Sequence, residues 1–202
     1  MEPRILVLDG NQRAALAAVR SLGTKGLWVA AGESCSPSMA GLSRYCCKGV
    51  VYTDPFTSPR QFFDDLLKQI QELKISFLLP ITEATTYVIL AYRDELPDHV
   101  ILPFPETDAV ESLANKNELF RLAQQLDVPV PETVFCQNIE EGLEALNRIN
   151  RFPVVLKPFK SKILQLESIL STQVVIAHSE QEALDALRKH FFFQFPFTIQ
   201  SF

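Results

Sequence analysis

The regular alternation of short apolar runs with amphipathic segments constrains the fold more than any other feature of this sequence. Arg4 to Leu8 has the length and apolarity of a buried strand, and the segment that follows, through Leu22, has helical spacing. Gly23 and Gly26 end that helix, and Leu27 to Ala31 forms a second strand. Since successive strands joined by a helix pair in parallel, this opening predicts a parallel α/β sheet.

The alternation continues for about a hundred residues. Ser58-Pro59 begins a helix, because proline fits the first helical position, and Thr82 can cap another. Further strands are predicted at Gly49 to Thr53, Ile75 to Leu79 and Val100 to Leu102. We therefore assign residues 1–113 to one α/β domain.

From Lys116 onward the pattern becomes α+β, and we assign residues 114–202 to a second domain. Asn115 is the expected N-cap of a helix that Lys116 opens, with Glu118 reaching back to the Asn115 backbone N–H in a capping box. Strands are predicted at Thr133 to Cys136, Phe152 to Lys157, Gln173 to Ala177 and Phe197 to Gln200. Helices are predicted at Ile139 to Ile149 and from a cap at Ser179 to His190.

Composition excludes several classes of protein. With 202 residues, 47% hydrophobic and 21% charged, the chain lies in the ordinary globular range. A net charge of −5 provides no basic field for nucleic acid or an anionic membrane. No apolar run has the length of a signal peptide or a membrane span, and the four cysteines and three histidines lack metal-ligand spacing. We expect a cytoplasmic protein with reduced, mostly buried thiols.

Two lysines stand where a phosphate would stabilise them. Lys116 lies at the positive end of a helix dipole, which disfavours a cation but favours a bound anion. Lys157 follows the continuous apolar run Val154 to Leu156, so a buried strand carries it to the rim of a sheet, where Pro158 stops the hydrogen-bond ladder. The alternative for both is a solvated lysine at the end of an ordinary element.

Together these motifs resemble the small lobe of the ATP-grasp fold, over Asn115 to Phe202, and the α/β domain resembles the pre-ATP-grasp domain that usually precedes it. The carbamoyl-phosphate-synthase-like and carboxylate–amine ligase branches are most similar. The resemblance implies that Lys116 and Lys157 contact the phosphates of ATP. It also implies that Gln200, Ser201 and Phe202 contact adenine, although Gln200 stands where glutamate is common.

The resemblance further implies a reaction. ATP phosphorylates a carboxylate, with Mg²⁺ as cofactor, and an amine then attacks the acyl phosphate. Asn11 and Gln12, and Glu83 at the end of another strand, would face the acceptor substrate. For Glu83 the alternative is a first-turn glutamate that stabilises the helix dipole. A homodimer is compatible with the resemblance, because many relatives pair.

Two departures from the family pattern shape the expectation. The stretch 159–172 contains no glycine, unlike the glycine-rich loop that covers the phosphates in many relatives, and offers Lys160 and Ser161 as phosphate contacts. The magnesium ligands of the family lie on a larger lobe, and nothing after Phe202 supplies them, so we expect these residues alone to be inactive. The phenylalanines between Phe191 and Phe197 are interpreted either as an exposed patch or as an ordinary core.

The sequence raises two other hypotheses. One is a non-catalytic nucleotide-binding or interaction module of the same fold. The other is a Rossmann dinucleotide domain, suggested by Gly10 after the first strand and by Glu33 further on. The Rossmann fingerprint fails at Gln12, where the second glycine must let the pyrophosphate approach the backbone.

Overall fold

The computed structural model describes residues 2–202, which divide into two compact units. The first unit extends to Pro105 and includes Leu164–Leu170, while the second comprises Glu106–Ile163 and Ser171–Phe202. Within residues 2–202, every helix is too short or too polar to cross a membrane.

The first unit is a parallel four-stranded sheet in the order β3-β2-β1-β4. The strands are β1 (Arg4–Val7), β2 (Trp28–Glu33), β3 (Lys48–Val51) and β4 (Phe77–Leu79), and the helices are α1 (Arg13–Gly23), α2 (Pro59–Leu73) and α3 (Glu83–Ala91), followed by a 3₁₀ turn at Arg93–Glu95.

Helices cover both faces of this sheet. Ile5 and Val7 of β1 point to one face, where they pack with Ala15 and Val19 of α1. The alternate residues Leu6 and Leu8 point to the opposite face, where α2 and α3 bury them with Phe62, Phe63, Leu66, Val88 and Ile89. Burial on both faces explains why the strands are continuously apolar rather than alternating.

The strand predicted at Val100 to Leu102 is reduced to an isolated bridge. Ile101 pairs in parallel with Phe77: its N–H donates to the Ser76 carbonyl, and its own carbonyl accepts from Leu78 N–H. The ladder goes no further, because the N–H of Val100 turns back to the carbonyl of Pro97.

The second unit is built on an antiparallel sheet in the order β5-β10-β6-β9. Its strands are β5 (Thr133–Cys136), β6 (Val154–Pro158), β9 (Val175–Ala177) and β10 (Phe197–Ser201), its helices are α4 (Thr107–Ala114), α5 (Lys116–Gln125), α6 (Ile139–Leu146) and α7 (Glu180–Lys189), and a two-stranded hairpin consists of β7 (Lys162–Leu164) and β8 (Ile169–Ser171).

Helices α6 and α7 pack on one another and against this sheet. The aromatic cluster before β10 is largely core: Phe192, Phe193 and Phe197 are buried, and only Phe191 is mostly exposed. Helix α5 differs from an ordinary packed helix, since its sole buried residue is Asn117 whereas Leu119, Leu122 and Leu126 of the same segment are exposed.

The prediction of mostly buried thiols was wrong. All four cysteines are free, but only Cys136 is buried, Cys46 is half-buried, and Cys35 and Cys47 are exposed. Cys35 and Cys47 lie just beyond the end of β2 and just before β3, in the connection where the backbone meets solvent. Apolar side-chain chemistry alone does not bury a residue whose backbone lies on the surface.

Candidate functional site

A single hydrogen bond brings the two predicted lysines into one region of the second unit. The backbone N–H of Lys116, the first residue of α5, donates to the carbonyl of Phe159 at 2.9 Å. Phe159 lies two residues after Lys157, at the end of β6. The start of α5 is therefore fixed beside the strand end that carries Lys157.

Asn115 caps α5 as predicted, but the capping box is different. Its side-chain oxygen accepts from Asn117 N–H at 3.0 Å and from Glu118 N–H at 3.4 Å. Its backbone N–H is already donated to Glu111 of α4, so the Glu118 carboxylate accepts from the Asn115 side-chain amide at 3.0 Å instead. The Asn115 side chain thus holds the start of α5 both by accepting from its backbone N–H groups and by donating to Glu118.

Register places Lys157 among polar residues on one face of the sheet. Lys157 of β6 lies opposite Thr198 of β10, and Val155 lies opposite Gln200, which also faces Thr133 of β5. Directly opposed residues project from the same face of an antiparallel pair. Lys157, Thr198, Gln200 and Thr133 therefore share a face.

Three buried polar side chains of the second unit have unsatisfied atoms. Thr198 Oγ1, Gln200 Oε1 and both amide atoms of Asn117 have no hydrogen-bond partner within residues 2–202. These residues are 0%, 1% and 5% exposed, respectively. Buried polar groups are nearly always paired in native structures, and exceptions call for a functional or structural explanation. A polar ligand on the Lys157 face would explain the unpaired atoms of Thr198 and Gln200.

The end of β10 lines an open cleft of about 990 Å³. Gln200, Ser201 and Phe202 line it together with residues of α6 and residues 148–153. Ser201 is fixed by its N–H, which donates to Glu132 at 3.1 Å, and Phe202 is 77% exposed. Neither Lys116 nor Lys157 lines this cleft, so of the three predicted adenine contacts only Gln200 is linked to a lysine, through the sheet face that it shares with Lys157.

The remaining predicted phosphate contacts lie on the stem of the β7–β8 hairpin. Lys160 forms an ion pair with Glu111, and its side chain is 13% exposed. The carbonyls of Lys160 and Ser161 accept from the hydroxyl and the N–H of Thr172, respectively. The sequence predicted packing residues here but not the hairpin itself.

The tip of that hairpin, Leu164–Leu170, belongs to the first unit. Ile169 is 6% exposed and packs in the core with α2 and α3, and its N–H donates to the Phe56 carbonyl at 3.2 Å. Apolar residues replace the glycines that a mobile phosphate-covering loop needs, and one of them is buried in a core.

In the first unit, Asn11 organises the loop at the carboxyl end of the sheet. Its side-chain oxygen accepts from Met39 N–H at 2.9 Å, and its amide nitrogen donates to Cys35 Sγ at 3.3 Å. Its backbone N–H donates to the Glu33 carboxylate at 2.9 Å, so Glu33 holds a loop of its own unit. Gln12 precedes α1, makes no side-chain capping bond and is exposed.

Glu83 is the exposed first residue of α3, and Asp9 holds the turn before it. The Asp9 carboxylate accepts from the N–H groups of Ile81 and Thr82, at 2.9 and 2.8 Å, and from the hydroxyls of Thr82 and Thr85, at 3.1 and 2.7 Å. Asp9 adopts φ 59°, a left-handed conformation that aspartate tolerates.

Asp9 was not among the predicted site residues. The available signal was an acidic residue directly after a buried strand. The backbone N–H of Asp9 donates to the hydroxyl of Tyr52 at 2.9 Å, and that hydroxyl donates to the carbonyl of Gly32. Burial, together with the Asp9 carboxylate, raises the pKa of Tyr52 well above its usual range. Tyr52 therefore stays a neutral donor in this network.

Neither a family model nor a curated protein matches the chain. Solved structures do match. L-amino acid ligase from Bacillus licheniformis matches with a TM-score of 0.65 at 15% identity, over 100% of this chain and 44% of its own. N5-carboxyaminoimidazole ribonucleotide synthetase in its ADP complex matches with a TM-score of 0.66 at 20% identity, over 100% of this chain and 48% of its own.

The biotin carboxylase domain of 2-oxoglutarate carboxylase from Hydrogenobacter thermophilus, in complex with MgADP, ADP and bicarbonate, matches with a TM-score of 0.70 at 13% identity. The match covers 100% of this chain and 44% of the biotin carboxylase chain. The fold is that of the N-terminal part of an ATP-grasp enzyme. The predicted resemblance and fold class are thereby confirmed at the level of fold.

This chain spans about half the length of the ATP-grasp structures that it matches. Within residues 2–202, no group of three or more His, Cys, Asp or Glu residues could hold a metal ion. The ATP-grasp fold implies magnesium, and the described residues offer no donor set that fits it. We assign no step to a metal here.

Proposed function

We propose that the chain is the N-terminal portion of an ATP-dependent carboxylate–amine ligase and that it forms part of the ATP site. In this proposal residues 1–113 are the pre-ATP-grasp domain and residues 114–202 the small lobe. The reaction class is phosphorylation of a carboxylate by ATP, followed by attack of an amine on the acyl phosphate.

One observation carries the proposal. The Lys116 N–H to Phe159 carbonyl bond sets the start of α5 beside the end of β6, so the two lysines belong to one region of the second unit. Two ammonium groups beside a helix N-terminus suit the phosphates of a nucleotide. We assign the adenine to Gln200, Ser201 and Phe202, and the acceptor side to Asn11, Gln12 and Glu83.

The test is calorimetric titration of MgATP into the unmodified chain, Lys116→Met and Lys157→Met. We expect saturable binding that each substitution weakens by about tenfold or more, which corresponds to about 1.4 kcal/mol for one lost phosphate contact. Lys189→Met is the matched control, because Lys189 is an exposed lysine at the end of α7 and should not alter affinity. Equal affinities for all four proteins would contradict the proposal.

A second candidate function is a non-catalytic nucleotide-binding or interaction module. The hairpin favours it, because Lys160 is paired with Glu111 and Ile169 is buried in a core rather than held on a mobile loop. The two functions differ in turnover. Hydroxylamine traps acyl phosphates, so the assay uses these residues joined to an ATP-grasp large lobe that supplies the magnesium ligands. Hydroxamate formation from ATP and a panel of carboxylates then supports the ligase, whereas ATP binding without hydroxamate supports the module.

A further inference from the structure

The hydroxyl of Thr133 determines which way the side-chain amide of Gln200 points. Thr133 Oγ1 lies 2.7 Å from the carbonyl oxygen of Pro131 and 3.0 Å from the amide nitrogen of Gln200. A carbonyl can only accept a hydrogen bond, so the single hydroxyl proton is donated to Pro131. Towards Gln200 the hydroxyl can then only accept.

The orientation of the amide follows from this donor count. A flipped Gln200 would bring its carbonyl oxygen against a hydroxyl oxygen that has no proton left to donate. The amide nitrogen therefore faces Thr133, and Oε1 is left as an acceptor on the other side. Oε1 has no partner within residues 2–202, and Gln200 is 1% exposed.

We propose that Thr133, through Gln200, makes this site selective for a nucleobase that carries an amino group over the corresponding oxo base. The inference rests on the proposed function, which places the base of the nucleotide at Gln200. An exocyclic amino group donates to Oε1 and satisfies it. An oxo group at the same position sets two acceptors against each other, and a buried acceptor without a donor is strongly disfavoured. Thr133 is thus a positioning residue.

ATP and ITP are the appropriate probes, because the amino group of adenine is replaced by an oxo group in hypoxanthine. We would measure the dissociation constants of both magnesium nucleotides by calorimetry for the unmodified chain, Thr133→Val and Thr133→Ser. The unmodified chain should prefer ATP by about tenfold or more, since one buried hydrogen-bond mismatch is large enough for that ratio. Thr133→Val keeps the β-branched shape but removes the acceptor, so the amide can flip to suit either base.

We expect the ATP to ITP preference to fall to within about threefold in Thr133→Val and to be retained in Thr133→Ser, which keeps the hydroxyl. Thr57→Val, at an exposed threonine of the first unit, is the matched control and should keep the preference of the unmodified chain. A change in strand stability alone would shift both affinities together and leave their ratio unchanged.

Three results would overturn the inference. Equal affinity of the unmodified chain for the two nucleotides would remove the selectivity itself. An unchanged ratio in Thr133→Val would remove the role of Thr133 while leaving ATP binding, and hence the proposed function, intact. Absence of binding to either nucleotide would instead reject the proposed function together with this extension.

Discussion

At the scale of single residues, Gly142 shows how tightly the second unit is packed. Gly142 lies on α6, and a Cβ built on it would lie 2.4 Å from Cζ of Phe197, which is fully buried in β10. The helix can approach the sheet this closely only because the residue has no side chain. The sequence places Gly142 inside a helix, where glycine is unfavourable, and only the packing explains its presence.

We therefore expect Gly142→Ala to lower the free energy of unfolding by about 1–3 kcal/mol, the usual cost of overpacking a core. Urea denaturation measures the change. Gly49→Ala is the matched control, because no atom lies within 4 Å of a Cβ at Gly49. If the Gly142→Ala variant had the same free energy of unfolding as the unmodified chain, α6 would be able to move away from Phe197 without cost.

Asp65 gives a pH dependence that follows from its contacts. Burial opposes its charge, but hydrogen bonds from the Thr53 hydroxyl at 2.7 Å, the Gln61 amide and the Thr53 N–H outweigh burial and lower the pKa of Asp65 from 3.8 to about 2. A carboxylate with a lowered pKa stabilises the folded state above its unfolded pKa. That stabilisation is lost as the pH falls through the folded value.

The expected result is a decrease in the free energy of unfolding as the pH falls from about 4 to about 2, and a smaller decrease in Asp65→Asn. Urea midpoints at several pH values in this window measure both slopes. Asp98→Asn, at an exposed aspartate, controls for the general effect of removing a negative charge. Parallel slopes for Asp65→Asn and the unmodified chain would contradict the assignment to Asp65.

At the scale of elements, helix ends were well predicted because their signals are local. Thr82, Asn115 and Ser179 were expected to cap helices, and each accepts a hydrogen bond from the first turn. The cap of α6 by Asn138 was missed, although the residue type is an ordinary one for an N-cap. The β7–β8 hairpin was also missed, because each strand has only three residues and its tip is anchored by Ile169 in a core whose other residues are distant in sequence.

Ile169 tests the role of the hairpin tip. Ile169→Ala should lower the free energy of unfolding by about 2–5 kcal/mol, because it removes a buried side chain from the core of the first unit. It should also make the stem more accessible to trypsin at Lys162, which limited proteolysis followed by mass spectrometry would detect. The matched control is Leu166→Ala in the same turn, since Leu166 is 95% exposed. Equal stability of the two variants would mean that the tip is not anchored.

At the scale of the whole molecule, the four cysteines are distributed over both units. Cys35, Cys46 and Cys47 belong to the first unit, and Cys136 belongs to the second. Burial, with a contribution from the Glu141 carboxylate, raises the pKa of Cys136 to about 12. Burial likewise raises the pKa of Cys46, but of these two cysteines Cys136 is buried and Cys46 only half-buried.

We expect Cys35 and Cys47 to react rapidly with a disulfide reagent at pH 8, Cys46 more slowly, and Cys136 only after unfolding, because the thiolate must both form and be reached. Stopped-flow absorbance gives the rates, and Cys35→Ser and Cys47→Ser assign the fast phases. Rapid reaction of Cys136 in the folded chain would show that β5 opens locally.

The sequence by itself determined the classes of element, most of their positions, the two lysines and the resemblance to ATP-grasp proteins. These depend on apolar periodicity, caps and strand ends, which act over a few residues. Only the tertiary structure revealed the bond from Thr133 to Gln200, the turn held by Asp9 and the burial of Ile169. The first two join residues 67 and 73 positions apart, so their pairing depends on strand register and chain crossing rather than on any local pattern.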